Sequence, residues 1–422
     1  MKRRIGMYVL LTGGKSNTED ADVGDGLKVA LDTQRIDFQR IGMDVFDPSC
    51  AGNLFDEVKL HSNLCQEKPA SMMSHPLYHI SSSDLYEVIQ RGLFKQKMKK
   101  KIIFTHINKY LFFLMSCHNS EHLVNASCDT LIYHVLTSAA KTDNPPWVPT
   151  IDDIISVFCN CGAPKEMLMS CSSPLPPRVL TPPIEGPLPD LRITNIPWVL
   201  KVITAILVHH KKDCYSISEL EHLLCIILTV SLDKHVMQMK SVIINIEFSK
   251  CIKSILAAYP SCEWRKPGKV SRLSKMLYCK LKNVCISDIN CIISNYITCP
   301  GLGQKLALSL SYSFIKGMVM SDKDLKHLDN IEVKDIVKIF KVDSLLEMDY
   351  CTQYYLLLLV ERVITNLIFT SGNVRHLNNI RQLLSNLRIK PAHSEEMIDY
   401  LLVKELITRA TTTWKLSIAE LA

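Results

Sequence analysis

The chain has 422 residues, 47% of them hydrophobic and 22% charged, with a mean hydropathy of +0.10 and a net charge of +7. That composition excludes a disordered polymer and supplies enough apolar surface for a large core. A pI near 8.6 permits contact with nucleic acid or an acidic partner without requiring it.

Residues 1–75 show no sustained period and read as an irregular, partly disordered segment, with a short strand-like run at Met7–Leu11. "YVLLTGGKSN" looks at first like a strand leading into a phosphate loop. The motif needs a glycine five positions before Gly14, where Val9 stands, and a helix should follow. Polar, turn-rich "NTEDADVGDG" follows instead, so the nucleotide reading is set aside.

Residues 76–171 read as a first helical part. Ser83 is the expected cap of a helix with Glu87 in its first turn, and Ile103, Ile107, Leu111 and Leu114 line one face of the next. Leu123, Ala126, Leu131 and Val135 line an antiparallel neighbour. Thr150 with Asp153 predicts a capping pattern, and Gly162 with Pro164 a stop. Residues 172–192 are a proline-rich linker or ordered loop that cannot be regular helix.

Residues 193–422 read as a second helical part. Pro197 sits in a first turn, Ser216 and Glu219 form a capping box, and helices are expected over Lys234–Ala258, Val270–Lys282, Asp288–Tyr296, Gly303–Met318, Glu332–Phe340, Tyr350–Thr370, Asn373–Leu387 and Ser394–Leu416. The apolar run from Tyr354 is broken by Glu361 and Arg362, so no membrane span is expected. The fold class is therefore all-α: an irregular helical array, α-solenoid-like but without a fixed repeat.

Sixteen cysteines invite a metal reading. Cys117, His118, His122, Cys128 and His134 lack the paired spacing of structural zinc, as do Cys159, Cys161 and Cys171, and Cys285, Cys291 and Cys299. With no secretory signal read at the start of the chain, these cysteines are taken as reduced thiols packed as small apolar residues, with the histidines of "HNSEH" in a polar loop. No nucleophile elbow, HExxH or cysteine-protease signature occurs, so no enzyme and no cofactor are expected. Adjacent Asp152 and Asp153 suit a helix start, and His209–His210 a helix end, where an imidazolium complements the dipole.

Two basic stretches remain as candidate nucleic-acid or nuclear-import contacts. One carries Lys95, Lys97, Lys99, Lys100 and Lys101; the other carries Arg265, Lys266, Lys269, Arg272 and Lys275. Neither interleaves aromatic residues that would stack bases.

The segments "INKYLFFLMSCHNSEHLVNASCDTLIYHVLT", "WVPTIDDIISVFCNCGA" and "NIPWVLKVITAILVHHKKDCYSISELEHLLCIILTVSLD" resemble the CANIN-domain family. This is the family of localisation factors of the five/six SMC (structural maintenance of chromosomes) complex, also called family with sequence similarity 178. The resemblance spans about residues 75–420 and rests on hydrophobic texture and segment order. It implies a non-enzymatic nuclear scaffold that binds SMC complex subunits and helps bring the complex to chromatin in DNA repair. DNA contact would be weak or indirect, with no membrane and no small-molecule substrate. The rival reading is direct nucleic-acid binding through residues 95–101 and 265–275. Trp198, Trp264 and Trp414 are candidate anchors for a protein partner.

Overall fold

Side chains that close the first turn set where several helices begin. Thr150 accepts the Asp153 backbone N–H while Asp153 accepts that of Thr150, and Ser216 and Glu219 form the same reciprocal box. Each cap stabilises its helix by about 1 kcal/mol. The computed structural model describes residues 43–47, 50–52, 54–66, 79–95, 101–139, 147–171, 173–175, 192–210, 214–238, 242–297, 300–319, 331–339, 345–367, 374–385 and 397–421. The chain divides into two units, Met1–Arg40 and Ile41–Ala422, and every described residue belongs to the second. Met7–Leu11, the Gly14–Ser16 motif and residues 176–191 of the proline-rich stretch lie outside the described residues.

The described residues form 18 α-helices. The all-α irregular array expected from the sequence is what the chain adopts. The first helices are α1 (Glu57–Gln66), α2 (Ser82–Gln90), α3 (Lys101–Cys117), α4 (Glu121–Ala139), α5 (Ile151–Asn160) and α6 (Lys165–Met169). Then come α7 (Ile196–His209), α8 (Ile217–Ser231), α9 (Lys234–Gln238), α10 (Val242–Ala258), α11 (Ser261–Trp264) and α12 (Lys269–Leu281). The last are α13 (Ile286–Cys291), which runs into a π-helical turn at Ile292–Tyr296, α14 (Leu302–Val319), α15 (Val333–Ile339), α16 (Tyr350–Leu367), α17 (Val374–Ser385) and α18 (Met397–Leu421). No helix among the described residues is long and apolar enough to cross a membrane.

Three helix readings need correction, the first being that residues 1–75, read as irregular, contain the helix α1. The cap of α2 is Ser81, not Ser83: Ser81 is extended (φ −67°, ψ 161°) and its hydroxyl accepts the Asp84 N–H at 3.2 Å, whereas Ser83 already lies inside the first turn. The expected helix Lys234–Ala258 is two helices, α9 and α10.

Packing explains the order. In α8, Leu223–Ser231 are buried all round, so this helix is a central element rather than an amphipathic surface one. Around it pack α5, α6, α9, α10 and α12. The α3–α4 pair joins this centre through α7, whose apolar stripe Val199, Leu200, Val202, Ile203 and Ile206 is fully buried. A second tier runs α12–α14–α16–α18, with α17 against α18.

The segment 43–55 has no helical period, yet it is docked. Met43 pairs with the turn after α8: its N–H donates to Leu232 O at 2.7 Å, and its carbonyl accepts the Lys234 N–H at 2.8 Å. Further on, the Asp47 N–H donates to Gly162 O at 2.9 Å, and Gly52 to Asn160 O at 2.8 Å. Met43, Val45 and Phe46 bury their side chains beneath this strap.

Gly162 ends α5 at φ +109°, and a Cβ there would lie 2.5 Å from the Asp47 carbonyl oxygen. Gly162→Ala is therefore expected to lower stability by about 2 kcal/mol, through the strained φ and the displaced strap. Chemical denaturation checks this; a variant within a few tenths of a kcal/mol of wild type would contradict it.

Candidate docking surface

The soft ligands singled out in the sequence hold the array together. Cys117 and Cys128 are fully buried, their thiols directed at Leu114 O (3.6 Å) and Trp198 O (3.5 Å). Burial pushes both up, to about 12, which makes them inert thiols. Cys159 and Cys161 are buried as well. No disulfide joins the described cysteines, and no three His, Cys, Asp or Glu side chains among the described residues converge as metal ligands.

His118 lies between α3 and α4 with its Nδ1 accepting the Ser120 N–H at 2.9 Å, which leaves Nε2 protonated and 3.6 Å from Glu57 Oε1. Tyr86 donates to the other Glu57 oxygen at 3.3 Å, so one carboxylate links α1, α2 and the α3–α4 turn. His122 is exposed in the first turn of α4 rather than in the loop where it was expected.

His134 is buried and bridges Asn108 Oδ1 (2.7 Å) and Phe94 O (2.9 Å), fixing the turn Leu93–Lys95 against α3 and α4. Desolvation lowers its affinity for a proton. The native state thus binds fewer protons than the unfolded chain, so His134 supports stability above about pH 6.5 and that support is lost as pH falls. Wild type is expected to lose more denaturation midpoint than His134→Gln between pH 7.5 and 5.5. Equal losses in the two proteins would count against it.

The expectation for His210 is corrected. Its ring sits 3.2 Å from Val135 O and burial lowers its proton affinity, so the neutral ring ties α7 to α4 instead of acting as a dipole-stabilised cation.

The two basic stretches rest on different helices. Lys95 closes a turn packed on α2 and α4, and Lys101 begins α3; Lys97, Lys99 and Lys100 lie outside the described residues. The other stretch spans α11 and α12, of which α12 packs on α8 and α14. Two of its cations already face carboxylates: Lys266 lies 2.5 Å from Glu263, and Arg272 contacts Glu221. Lys269 is half-buried, and Arg265 is exposed at the end of α11.

The three tryptophans separate. Trp414 is 1% exposed and belongs to the core, so it is no surface anchor. Trp198 is half-buried under the Lys201 ammonium, 3.8 Å from the ring. Trp264 is half-buried at the α11–α12 corner, with the Arg265 guanidinium 5.4 Å and the Lys305 ammonium 5.3 Å from its ring. This corner offers a tryptophan beside an arginine on a partly wet surface, the residue types enriched at the centres of protein–protein contacts, with the lysine at its edge.

The residue the sequence reading missed is Asp233. It is fully buried, and its carboxylate accepts four backbone N–H groups: Val45 (3.0 Å) and Phe46 (2.9 Å) on Oδ2, His235 (2.8 Å) and Val236 (3.1 Å) on Oδ1. Burial pushes the carboxyl up, to about 6, against the pull of those four donors. An aspartate just before a helix carries a capping signal, but nothing local reveals that its other oxygen holds a strap from the start of the chain.

No curated protein matches this sequence. A family model, that of the Coiled-coil and Nse Interacting domain, matches residues 27–277. The match begins earlier than the resemblance read from the sequence and takes in the strap and α1; it ends within α12, leaving the tier from α13 onward outside it. Asp233, His134, Gly162, Trp264 and Arg265 all fall within the matched region, which exceeds half of the chain: the protein belongs to the Coiled-coil and Nse Interacting (CANIN) domain family.

Proposed function

We propose that this chain is a non-enzymatic helical scaffold that binds Nse subunits of the five/six SMC complex. The family match over residues 27–277 carries the reading. The use of the buried polar groups supports it: Asp233, His134 and Asn160 spend their hydrogen bonds on backbone and neighbouring side chains rather than converging on a cleft. Trp264 and Arg265 are the proposed anchors. The scaffold acts in the nucleus, where it helps place the complex on chromatin in DNA repair. DNA contact is weak or indirect, since the cations of Lys266 and Arg272 are already paired with carboxylates.

The test is co-purification of the full chain with Nse subunits from nuclear extract treated with nuclease. Recovery is expected to survive nuclease and to fall at least tenfold for Trp264→Ala combined with Arg265→Ala, if these anchors each contribute the usual 1–2 kcal/mol or more. Loss of Nse subunits on nuclease treatment, with direct salt-sensitive binding of DNA, would replace this reading with nucleic-acid binding.

A further inference from the structure

The Trp264 corner opens onto a narrow cleft where α8, α11 and α12 meet. Tyr259, Leu273 and Leu302 supply apolar lining, and Glu221, Glu263 and Lys269 supply polar lining. The indole forms part of the same wall. A Cβ at Gly301, whose φ is +78°, would lie 3.5 Å from the six-membered ring, so the turn before α14 already rests against that edge. The ring is therefore held in place before a partner arrives, which lowers the ordering cost of binding.

The charges around the cleft are unbalanced. Lys266 is taken up by Glu263 and Arg272 by Glu221. Arg265 and Lys305 are exposed, and no carboxylate among the described residues forms an ion pair with either; Lys269 lines the cleft itself. Positive charge therefore stands in excess beside a half-buried aromatic ring. An apolar side chain with acidic neighbours complements both features. It covers the indole while its carboxylates meet Arg265 and Lys305, whose head groups lie 5.4 Å and 5.3 Å from the ring. A nucleic-acid backbone fits worse, because its closely spaced phosphates also meet Glu221 and Glu263, and because one tryptophan gives no row of stacking surfaces.

We propose that the cleft beside Trp264 receives an acidic segment of the partner protein, in which an apolar side chain packs on the indole and neighbouring aspartates or glutamates pair with Arg265, Lys269 and Lys305. The inference rests on the reading of the chain as an Nse-binding scaffold and adds the chemistry by which the bound subunit is recognised. The two kinds of contact divide the work. The exposed ion pairs speed association and choose the partner by charge, since a basic segment meets the excess of like charge. The contact on the indole, once water is excluded from it, slows dissociation.

The experiment uses the full chain and the purified five/six SMC complex with its Nse subunits. A water-soluble carbodiimide joins a carboxylate to a lysine in direct contact with it, and mass spectrometry locates the link. Lys269 or Lys305 is expected to be joined to aspartates or glutamates of an Nse subunit. Arg265→Glu combined with Lys305→Glu is expected to weaken binding by roughly tenfold or more and to slow association. The denaturation midpoint should not move, because both side chains are exposed. Links from Glu221 or Glu263 to partner lysines, or a double charge reversal that binds as tightly as wild type, would overturn the proposal and leave the scaffold reading standing. A wild-type chain that binds no Nse subunit would overturn that reading, and this one with it. Duplex DNA bound by the wild-type chain and lost on the same charge reversal, with Nse binding unchanged, would assign the corner to nucleic acid instead.

Discussion

Asp233→Asn is expected to destabilise the protein by about 4 kcal/mol, although it changes one oxygen to an NH2 group of almost the same size. Both carboxylate oxygens are committed, each to two backbone N–H groups from opposite sides. An asparagine has one acceptor oxygen, so whichever way it turns its NH2 faces two N–H donors. Two buried donors then lose their partner, at about 1–3 kcal/mol each, and face a third donor at close range. One orientation keeps the start of α9 and releases the strap at Val45 and Phe46; the other keeps the strap and frays α9. The Lys234–Asp44 ion pair, half-exposed on the Asp44 side, is too screened to compensate. Denaturation by urea measures the loss. Amide exchange tells which end opens, with protection at Val45 and Phe46 expected to drop first because the strap lacks the intrahelical bonds that support α9. A variant that keeps wild-type midpoint and protection would show that the carboxylate is not what holds the strap.

What the sequence revealed and what it hid divide along a physical line. Helix starts at Thr150 and Ser216 were legible because a capping box is closed within four residues. The burial of α8 was legible because "LLCIILTVSL" has no polar face. The strap was not: its hydrogen bonds run to Leu232, Lys234, Asp233, Gly162 and Asn160, all far along the chain, and no local period marks them. The helix α1 was missed for a related reason, since "EVKLHSNLCQ" carries only Leu60 and Leu64 on its buried face. On the surface, spacing identified basic runs but not their partners. Glu221 and Glu263 take up Arg272 and Lys266, a pairing that depends on how α8 meets α12 and how α11 ends. Likewise three tryptophans look alike as letters, and only packing puts Trp414 in the core and Trp264 at a corner.

Lys280→Met is expected to cost about 3–4 kcal/mol, and its effect should concentrate in residues 165–175. Lys280 is 2% exposed, so its ammonium has exchanged water for two carbonyl oxygens, Met167 O and Ser170 O. These oxygens belong to the C-terminal end of α6 and the residue after it, where a helix leaves carbonyls without intrahelical donors and where its dipole favours a cation. A helix of five residues has almost no stability of its own, so this external cap and its packing on α8 maintain it. Methionine keeps most of the apolar stem and therefore most of the packing. What it removes is the charge-assisted pair of hydrogen bonds, leaving two part-buried acceptors at about 1–3 kcal/mol each. Burial has already lowered the proton affinity of this lysine, so part of the loss is offset by no longer holding a charge in an apolar place, which keeps the estimate below the full sum. Lys280→Ala should lose more than Lys280→Met because the stem's packing goes as well. The separation between the two variants tells capping from packing. If methionine is tolerated with no change in midpoint and no faster exchange at Leu168 and Leu175, the two hydrogen bonds contribute nothing net and α6 is held by its apolar contacts alone.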